Sequence, residues 1–188
     1  MTTATNDTVR DPLGIRLIDR INRILVSVAA VVTIVLMLHM VVDVAGRFLA
    51  NRPLAGTLEY VTYWWMPLIV FLGLGWAQYR KEHINVTLLT ETLSDRTRKI
   101  ADTIADVITL IVVALLVVFS FQGAEHSFAI GEAALGTATV PIWPTRFVAV
   151  IGLVGLLLQV AATIYRRWTT GVPDVDGSDP ALPNGGIE

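Results

Sequence analysis

The chain alternates long apolar runs with short polar segments, and four of these runs are long enough to cross a membrane. They cover residues 24–45, 60–79, 102–124 and 143–165. A helix needs about 20 mostly apolar residues to cross a hydrocarbon core of about 30 Å, so each run fits one crossing. Because lipid offers no hydrogen-bond partner to an open strand edge, helices are the expected form. The pattern predicts an all-α integral membrane protein with four transmembrane helices.

Two segments flank the transmembrane domain, which we place at residues 24–168. Residues 1–23 contain a helix start at Asp11 and Pro12, after which apolar residues recur at helical spacing between arginines. This pattern fits a basic amphipathic helix lying in the cytoplasmic interface, and it fits a simple extension of the first span equally well. Residues 169–188 are rich in Pro, Gly and acidic residues, which is typical of a disordered cytoplasmic tail. A cleaved signal peptide is disfavoured because its apolar region spans only about 7–15 residues.

Positive charge is distributed unevenly between the two sides of the predicted spans. Eleven of the 14 Lys and Arg residues lie in the N-terminal segment, between the second and third spans, or just after the fourth. Since cytoplasmic loops carry the excess of Lys and Arg, both termini are expected in the cytoplasm. Trp64 and Trp65 then lie near the outer end of the second span, and Trp76 and Tyr79 near its inner end. This arrangement predicts a multi-pass membrane protein with aromatic residues at both interfaces of its second span.

Composition narrows the function classes. Hydrophobic residues make up 54% of the chain and charged residues only 16%, whereas a soluble domain carries roughly 25% charged residues. The net charge of −2 gives no basic patch for nucleic acid. The chain has no cysteine, which excludes disulfides and thiolate metal sites.

Ionisable residues near the predicted spans are the first candidates for chemistry, because each is costly in lipid. His39, Asp43 and Arg47 follow one another at four-residue steps on one face of the first span. They can line a polar path, meet a partner, or form only a local ion pair at a helix end. Asp102 and Asp106 form a similar pair at the inner end of the third span. Nothing ionisable follows them until residue 125, which favours a helix-end or inter-subunit contact over a proton relay.

The three histidines raise the alternative of a haem-bearing membrane anchor of a redox complex. Two axial ligands must approach the iron from facing helices at similar depth. His83 is expected on the inner side, His39 near the outer side, and His126 beyond the end of the third span, so this alternative is disfavoured. A self-contained small channel is the other alternative, and it would need polar residues at mid-membrane. The sequence has no motif for catalysis, a metal or a cofactor, so we expect neither an enzyme nor a cofactor site.

Three segments between residues 47 and 86 form a distinctive set. They are RFLANRPL at residues 47–54, Glu59-Tyr60 followed by Trp64 and Trp65, and GLGWAQYRKEHINV at residues 73–86. Together they resemble the small membrane subunit, the DctQ type, of tripartite ATP-independent periplasmic (TRAP) transporters. The chain departs from that pattern at Glu82, where a glycine is usual. The likeness in length and number of spans extends over nearly the whole chain except the tail.

The resemblance implies a location in the bacterial inner membrane and a role that the residues alone do not reveal. In such systems a periplasmic binding protein captures an organic solute, and a large permease carries it inward, driven by a sodium gradient. The small subunit packs against the large one as a fixed scaffold, and sodium coupling belongs to the large subunit. The solute stays open between dicarboxylates, sugar acids and compatible solutes such as ectoine. This role agrees with a chain that has no charged residue at the expected midplane of its spans.

The same resemblance selects the candidate partner interface. Its residues are Arg47, Arg52, Glu59, Trp64, Trp65, Gly73, Gly75, His83, Ile84 and Val86. We expect Glu59 to pair with Arg47 or Arg52 in the connection between the first two spans. The glycines at 73 and 75 indicate tight helix packing in the second span.

Overall fold

The computed structural model describes residues 12–80 and 95–169, which form four long helices and one small hairpin. The helices are α1 (Leu13–Ala50), α2 (Thr57–Tyr79), α3 (Asp95–Ala129) and α4 (Trp143–Thr169). All four are long and apolar enough to cross a membrane. The hairpin consists of β1 (Ala133–Ala134) and β2 (Val140–Pro141), with Ala134 opposite Val140. The prediction of an all-α membrane protein with four spans is confirmed, and the hairpin is an addition that the sequence pattern did not indicate.

Helix α1 is unbroken over 38 residues, a length of about 57 Å at 1.5 Å per residue. It begins after Pro12, whose backbone is extended, and it ends at Asn51, whose φ of 51° is left-handed. Asparagine tolerates that conformation better than most residues, which makes it a common helix stop. Residues 13–23 are therefore helical and continuous with the first predicted span. Asp11, the expected cap, lies outside the described residues.

Helix α2 contains a π turn over Val61–Trp65, between α-helical parts at Thr57–Tyr60 and Met66–Tyr79. The N–H of Met66 bonds to the carbonyl of Val61, five residues earlier. Pro67 follows directly and has no N–H to continue the regular ladder, which is a common cause of such an interruption. The turn carries both Trp64 and Trp65.

Helix α4 lies at the centre of the arrangement. It packs against both α2 and α3, while α1 packs against α2 and, less extensively, α4. In α4, 39% of the most apolar stretch is buried, whereas in α3 only 6% of the corresponding stretch is buried. Gly152 lets α4 approach α2 closely, because a Cβ there would collide with the backbone carbonyl of Phe71. Helix α3 is thus an edge helix that packs mainly on α4.

The molecule has two distinct ends. We call the end with the connection at residues 51–56 and the hairpin segment at residues 130–142 the loop end. The opposite end, where α1 and α3 begin and α2 and α4 finish, is the termini end. His83, Ile84, Val86 and the predicted tail beyond residue 169 lie outside the described residues.

Candidate functional site

Two groups of polar side chains hold the helices together, one at each end of the molecule. At the loop end, the Asp43 carboxylate is 4% exposed and accepts three hydrogen bonds. The donors are Arg47 Nε at 2.8 Å, the Leu54 amide at 2.9 Å and Thr57 Oγ1 at 3.0 Å. Asp43 thereby ties the end of α1 to the start of α2. The aspartate thus forms the local ion pair expected at this helix end and also anchors the start of α2.

The Glu59 carboxylate binds the hairpin segment. It accepts hydrogen bonds from the Thr137 amide at 2.6 Å and from the Thr137 hydroxyl at 3.0 Å, while the Gly56 amide donates to the same hydroxyl at 3.1 Å. Gly136 permits this approach, because a Cβ there would collide with the Glu59 carboxylate. The expectation that Glu59 pairs with Arg47 or Arg52 is wrong. Arg47 is held by Asp43, and the N-terminus of α2 instead holds a segment almost 80 residues later in the chain.

Two further contacts fix the same hairpin segment. Trp64 Nε1 donates to the Pro141 carbonyl at 2.9 Å, so the π turn of α2 also reaches the hairpin. At the base of the segment, Arg146 of α4 pairs with Glu132 at 2.8 Å. The nearby Ser127 hydroxyl and the Arg146 guanidinium hold the pKa of Glu132 below its ordinary value. We call the set Asp43, Thr57, Glu59, Trp64 and Thr137 the loop-end clasp.

Trp65 points toward α1 rather than the hairpin. Its Nε1 donates to His39 Nδ1 at 3.4 Å, and the His39 ring also lies 6.2 Å from that of Tyr60. His39 therefore serves the packing of α1 against the π turn. His126, by contrast, is exposed near the end of α3. The two histidines occupy different environments, and the structure shows no contact that pairs them.

At the termini end, buried amides connect α1 with α4. Asn22 is 1% exposed and Gln159 is fully buried, and the Asn22 carboxamide nitrogen donates to Gln159 Oε1 at 2.7 Å and to the Gly155 carbonyl at 3.4 Å. Gln159 Nε2 donates in turn to Asp19 at 3.2 Å, and Asp19 pairs with Arg166. The chain of bonds runs from a fully buried amide pair to a partly exposed ion pair.

The second helix completes this group through a glycine. A Cβ at Gly75 would collide with the Asn22 carboxamide oxygen, so only glycine lets α2 close over that side chain. Gly73 differs, because nothing lies within 4 Å of its Cβ position. Of the two glycines expected to pack tightly, Gly75 does so inside the chain and Gly73 lies open. We call Asp19, Asn22, Gly75, Gln159 and Arg166 the polar junction.

Arginines and aromatic rings surround the polar junction. Arg167 of α4 pairs with Asp106 of α3 at 2.9 Å, which gives the expected helix-end aspartate a partner within its own chain. Trp76 and Tyr79 stack at 5.0 Å between ring centroids. The Arg23 guanidinium lies 5.7 Å from the Trp76 ring centroid. Stacked rings and arginines are typical of a membrane interface.

Sequence reasoning missed the polar junction, although a signal existed. Gln159 is an amide in the middle of the fourth apolar run, where a polar side chain needs a partner. Asn22 lies seven residues from both Ile15 and Ala29, and all three are buried on one face of α1. That spacing indicates a packed face.

The arrangement can position helices and loops, and it provides few groups for chemistry. Among residues 12–80 and 95–169, no group of three or more His, Asp or Glu residues could hold a metal ion. The polar side chains of the clasp and the junction make hydrogen bonds between helices and loops of the same chain, although the buried Asn22 carboxamide oxygen accepts none. What the molecule offers to its surroundings is mainly apolar helix surface.

Comparison with known families agrees with this architecture. No curated protein matches the chain in sequence. The family model for the DctQ component of tripartite ATP-independent periplasmic transporters matches residues 36–170, about 70% of the chain. The match begins within α1 and covers α2, α3 and α4 with the loop-end clasp. The chain therefore belongs to the DctQ component family of tripartite ATP-independent periplasmic transporters.

Proposed function

We propose that this small transporter subunit is a fixed scaffold for the large permease subunit. The complex would take up an organic solute, delivered by a periplasmic binding protein, across the bacterial inner membrane with a sodium gradient as the driving force. Both termini lie in the cytoplasm in this proposal, and the loop end faces the periplasm. The observation that carries the proposal is the family membership of a chain whose helices keep large apolar faces exposed. The polar side chains of the clasp and the junction, by contrast, bond to one another within the chain.

A scaffold must keep its shape while its partner moves, and the two polar groups support that requirement. The polar junction joins α1, α2 and α4 through buried contacts. The loop-end clasp joins α1, α2 and the hairpin segment at the other end. Because interhelical hydrogen bonds in membranes contribute about 0.6 kcal/mol on average, several of them at both ends resist a change of helix arrangement better than one.

One face of α2 is suited to the large subunit. Met66 and Val70 are about half exposed, and Gly73 lies open on the same face, three to four residues apart along the helix. A glycine on an open face lets a partner helix approach closely. We propose that this face contacts the large permease. The edge helix α3, whose Phe119 is 65% exposed, is the contrasting lipid-facing surface.

Site-directed crosslinking tests this assignment directly, since the chain has no cysteine. Single variants Val70→Cys and Phe119→Cys would be labelled with a photoreactive maleimide in the assembled complex. We expect the large subunit to crosslink from position 70 and not from position 119. Equal crosslinking from both positions, or crosslinking from position 119 alone, would contradict the assignment.

Transport needs a separate measurement. Complexes reconstituted in vesicles should accumulate solute only when the binding protein and an inward sodium gradient are both present. The large subunit reconstituted without this chain should show markedly less uptake. Full uptake by the large subunit alone would contradict the scaffold role, and uptake without a sodium gradient would contradict the coupling.

A further inference from the structure

Two arginines on the first helix differ from the other described arginines around the polar junction. Arg166 and Arg167 are paired with aspartates of neighbouring helices. Arg20 and Arg23 are exposed, and neither forms an ion pair within the described part of the chain. They lie three residues apart on α1. Two guanidinium groups with no ion-pair partner among residues 12–80 and 95–169 therefore stand together at the termini end.

An aromatic ring orients one of these arginines. The Arg23 guanidinium lies 5.7 Å from the centroid of the Trp76 ring, within the range of a cation–π contact. A guanidinium held against a ring still presents N–H groups, and their fork geometry matches two oxygens of a phosphate. Trp76 itself stacks on Tyr79, as aromatic residues do where a membrane helix meets the headgroups. Arg23 is thus held beside an aromatic pair typical of the headgroup region, and its guanidinium still has N–H groups free to donate.

An apolar track leads from the arginines into the membrane. Ile24 and Val28 follow Arg20 at successive four-residue steps, and they are 56% and 44% exposed. Val31 and Val35 continue the same exposed track, so the helix presents charge at the interface and aliphatic surface below it. This order, with positive charge first and aliphatic surface next along the helix, is complementary to a phospholipid, whose phosphate headgroup lies above its acyl chain. An acidic protein segment would match the charge but would not need the track.

We propose that Arg20 and Arg23 bind the headgroup of an anionic phospholipid, whose acyl chain lies along Ile24 and Val28. The site lies between the termini-end parts of α1 and α2, where Trp76 orients Arg23. A basic site between membrane helices is a recognised way to hold anionic lipid. The inference depends on the membrane span of α1 and is independent of the scaffold role. It would give the subunit a fixed lipid contact at one edge.

Native mass spectrometry of the full chain in detergent tests the proposal, with phosphatidylglycerol and phosphatidylcholine as the two probes. We expect tighter binding of phosphatidylglycerol. Arg20→Gln combined with Arg23→Gln should weaken it, by about fivefold for each arginine, since one charge near an anionic surface contributes about that much. Phosphatidylcholine binding should not change. Arg20→Gln alone should give about half of this effect on a logarithmic scale, and it removes no described contact.

Arg52→Gln is the matched control, because it removes one exposed arginine at the loop end. It should leave phosphatidylglycerol binding unchanged. The proposal is overturned if the chain shows no headgroup preference, or if Arg52→Gln weakens binding as much as Arg20→Gln. Loss of the lipid in the complex with the large subunit would equally assign these arginines to a protein partner.

Discussion

The polar junction and the loop-end clasp use similar groups in different settings. Each has a carboxylate, an uncharged hydrogen-bonding side chain and a glycine neighbour that permits close approach. The junction centres on two amides that are 1% and 0% exposed, whereas the Glu59–Thr137 contact of the clasp is exposed. A buried polar group that loses its partner cannot turn to water, so the same deletion costs more in the junction. The difference predicts that the polar junction is fixed, whereas the exposed Glu59–Thr137 contact of the clasp can adjust.

The largest effect is expected from Gly75→Ala. The added methyl group would collide with the buried Asn22 carboxamide, and overpacking of this kind costs about 1–3 kcal/mol. Thermal unfolding in detergent, followed by circular dichroism, should show a clear drop in Tm. Gly73→Ala is the control with the same chemical change two residues earlier, and it should leave the Tm of the isolated subunit unaltered. If both variants behave alike, the close contact at Gly75 is not what holds α2.

A smaller loss is expected from Gln159→Leu. The leucine fills similar space but leaves the Asn22 amide and the Asp19 carboxylate without their shared partner, at a cost of about 1–2 kcal/mol. The same unfolding measurement applies. Gln122→Leu provides the comparison, because Gln122 is exposed on α3 and should tolerate the change. An unchanged Tm for Gln159→Leu would remove the energetic distinction between the junction and the clasp.

At the loop end, Asp43→Asn should act locally. The variant keeps the shape but loses the charge that strengthens the hydrogen bonds from Arg47, Leu54 and Thr57, a loss of about 1 kcal/mol. We expect faster amide hydrogen exchange at residues 51–57, with little change near Asn22. Glu125→Gln, at an exposed position of α3, should change neither region. Faster exchange at both ends would show that the two regions are one cooperative unit.

The smallest effect concerns pH and the base of the hairpin segment. The pKa of Glu132 is lowered, so its pairing with Arg146 stabilises the folded state above the ordinary value near 4.5. That contribution is lost as the pH falls through the lower folded pKa, because the carboxyl then takes up a proton. Both side chains are partly exposed, so we expect well under 1 kcal/mol. The Tm difference between wild type and Glu132→Gln should shrink as the pH falls from 6 to about 3, and a constant difference would contradict this.

The sequence pattern predicted the elements far better than the contacts between them. The four spans follow from apolar run length, because membrane thickness dictates it. The partner of Glu59 could not be predicted from the sequence. Its contact with Thr137 depends on a hairpin whose two strands are only two residues long, too short to give a sequence pattern. Local spacing pointed to nearby arginines instead. Several of the expected interface residues make contacts within the chain instead, namely Glu59, Trp64, Trp65 and Gly75. Gly73 differs from them, because nothing lies close to its Cβ position.

The long separation between Asn22 and Gln159 has a consequence for biogenesis. The two residues lie 137 positions apart, so their hydrogen bond forms only after α4 has been synthesised and inserted. The most apolar stretch of α3 has a mean hydropathy of 2.8 and can insert into lipid without a partner helix, whereas the corresponding stretch of α2, at 1.2, is the least apolar of the four. Helix α2 therefore depends most on neighbours for a stable place in the bilayer. Helix α4 therefore completes, late in synthesis, the site into which α2 must fit.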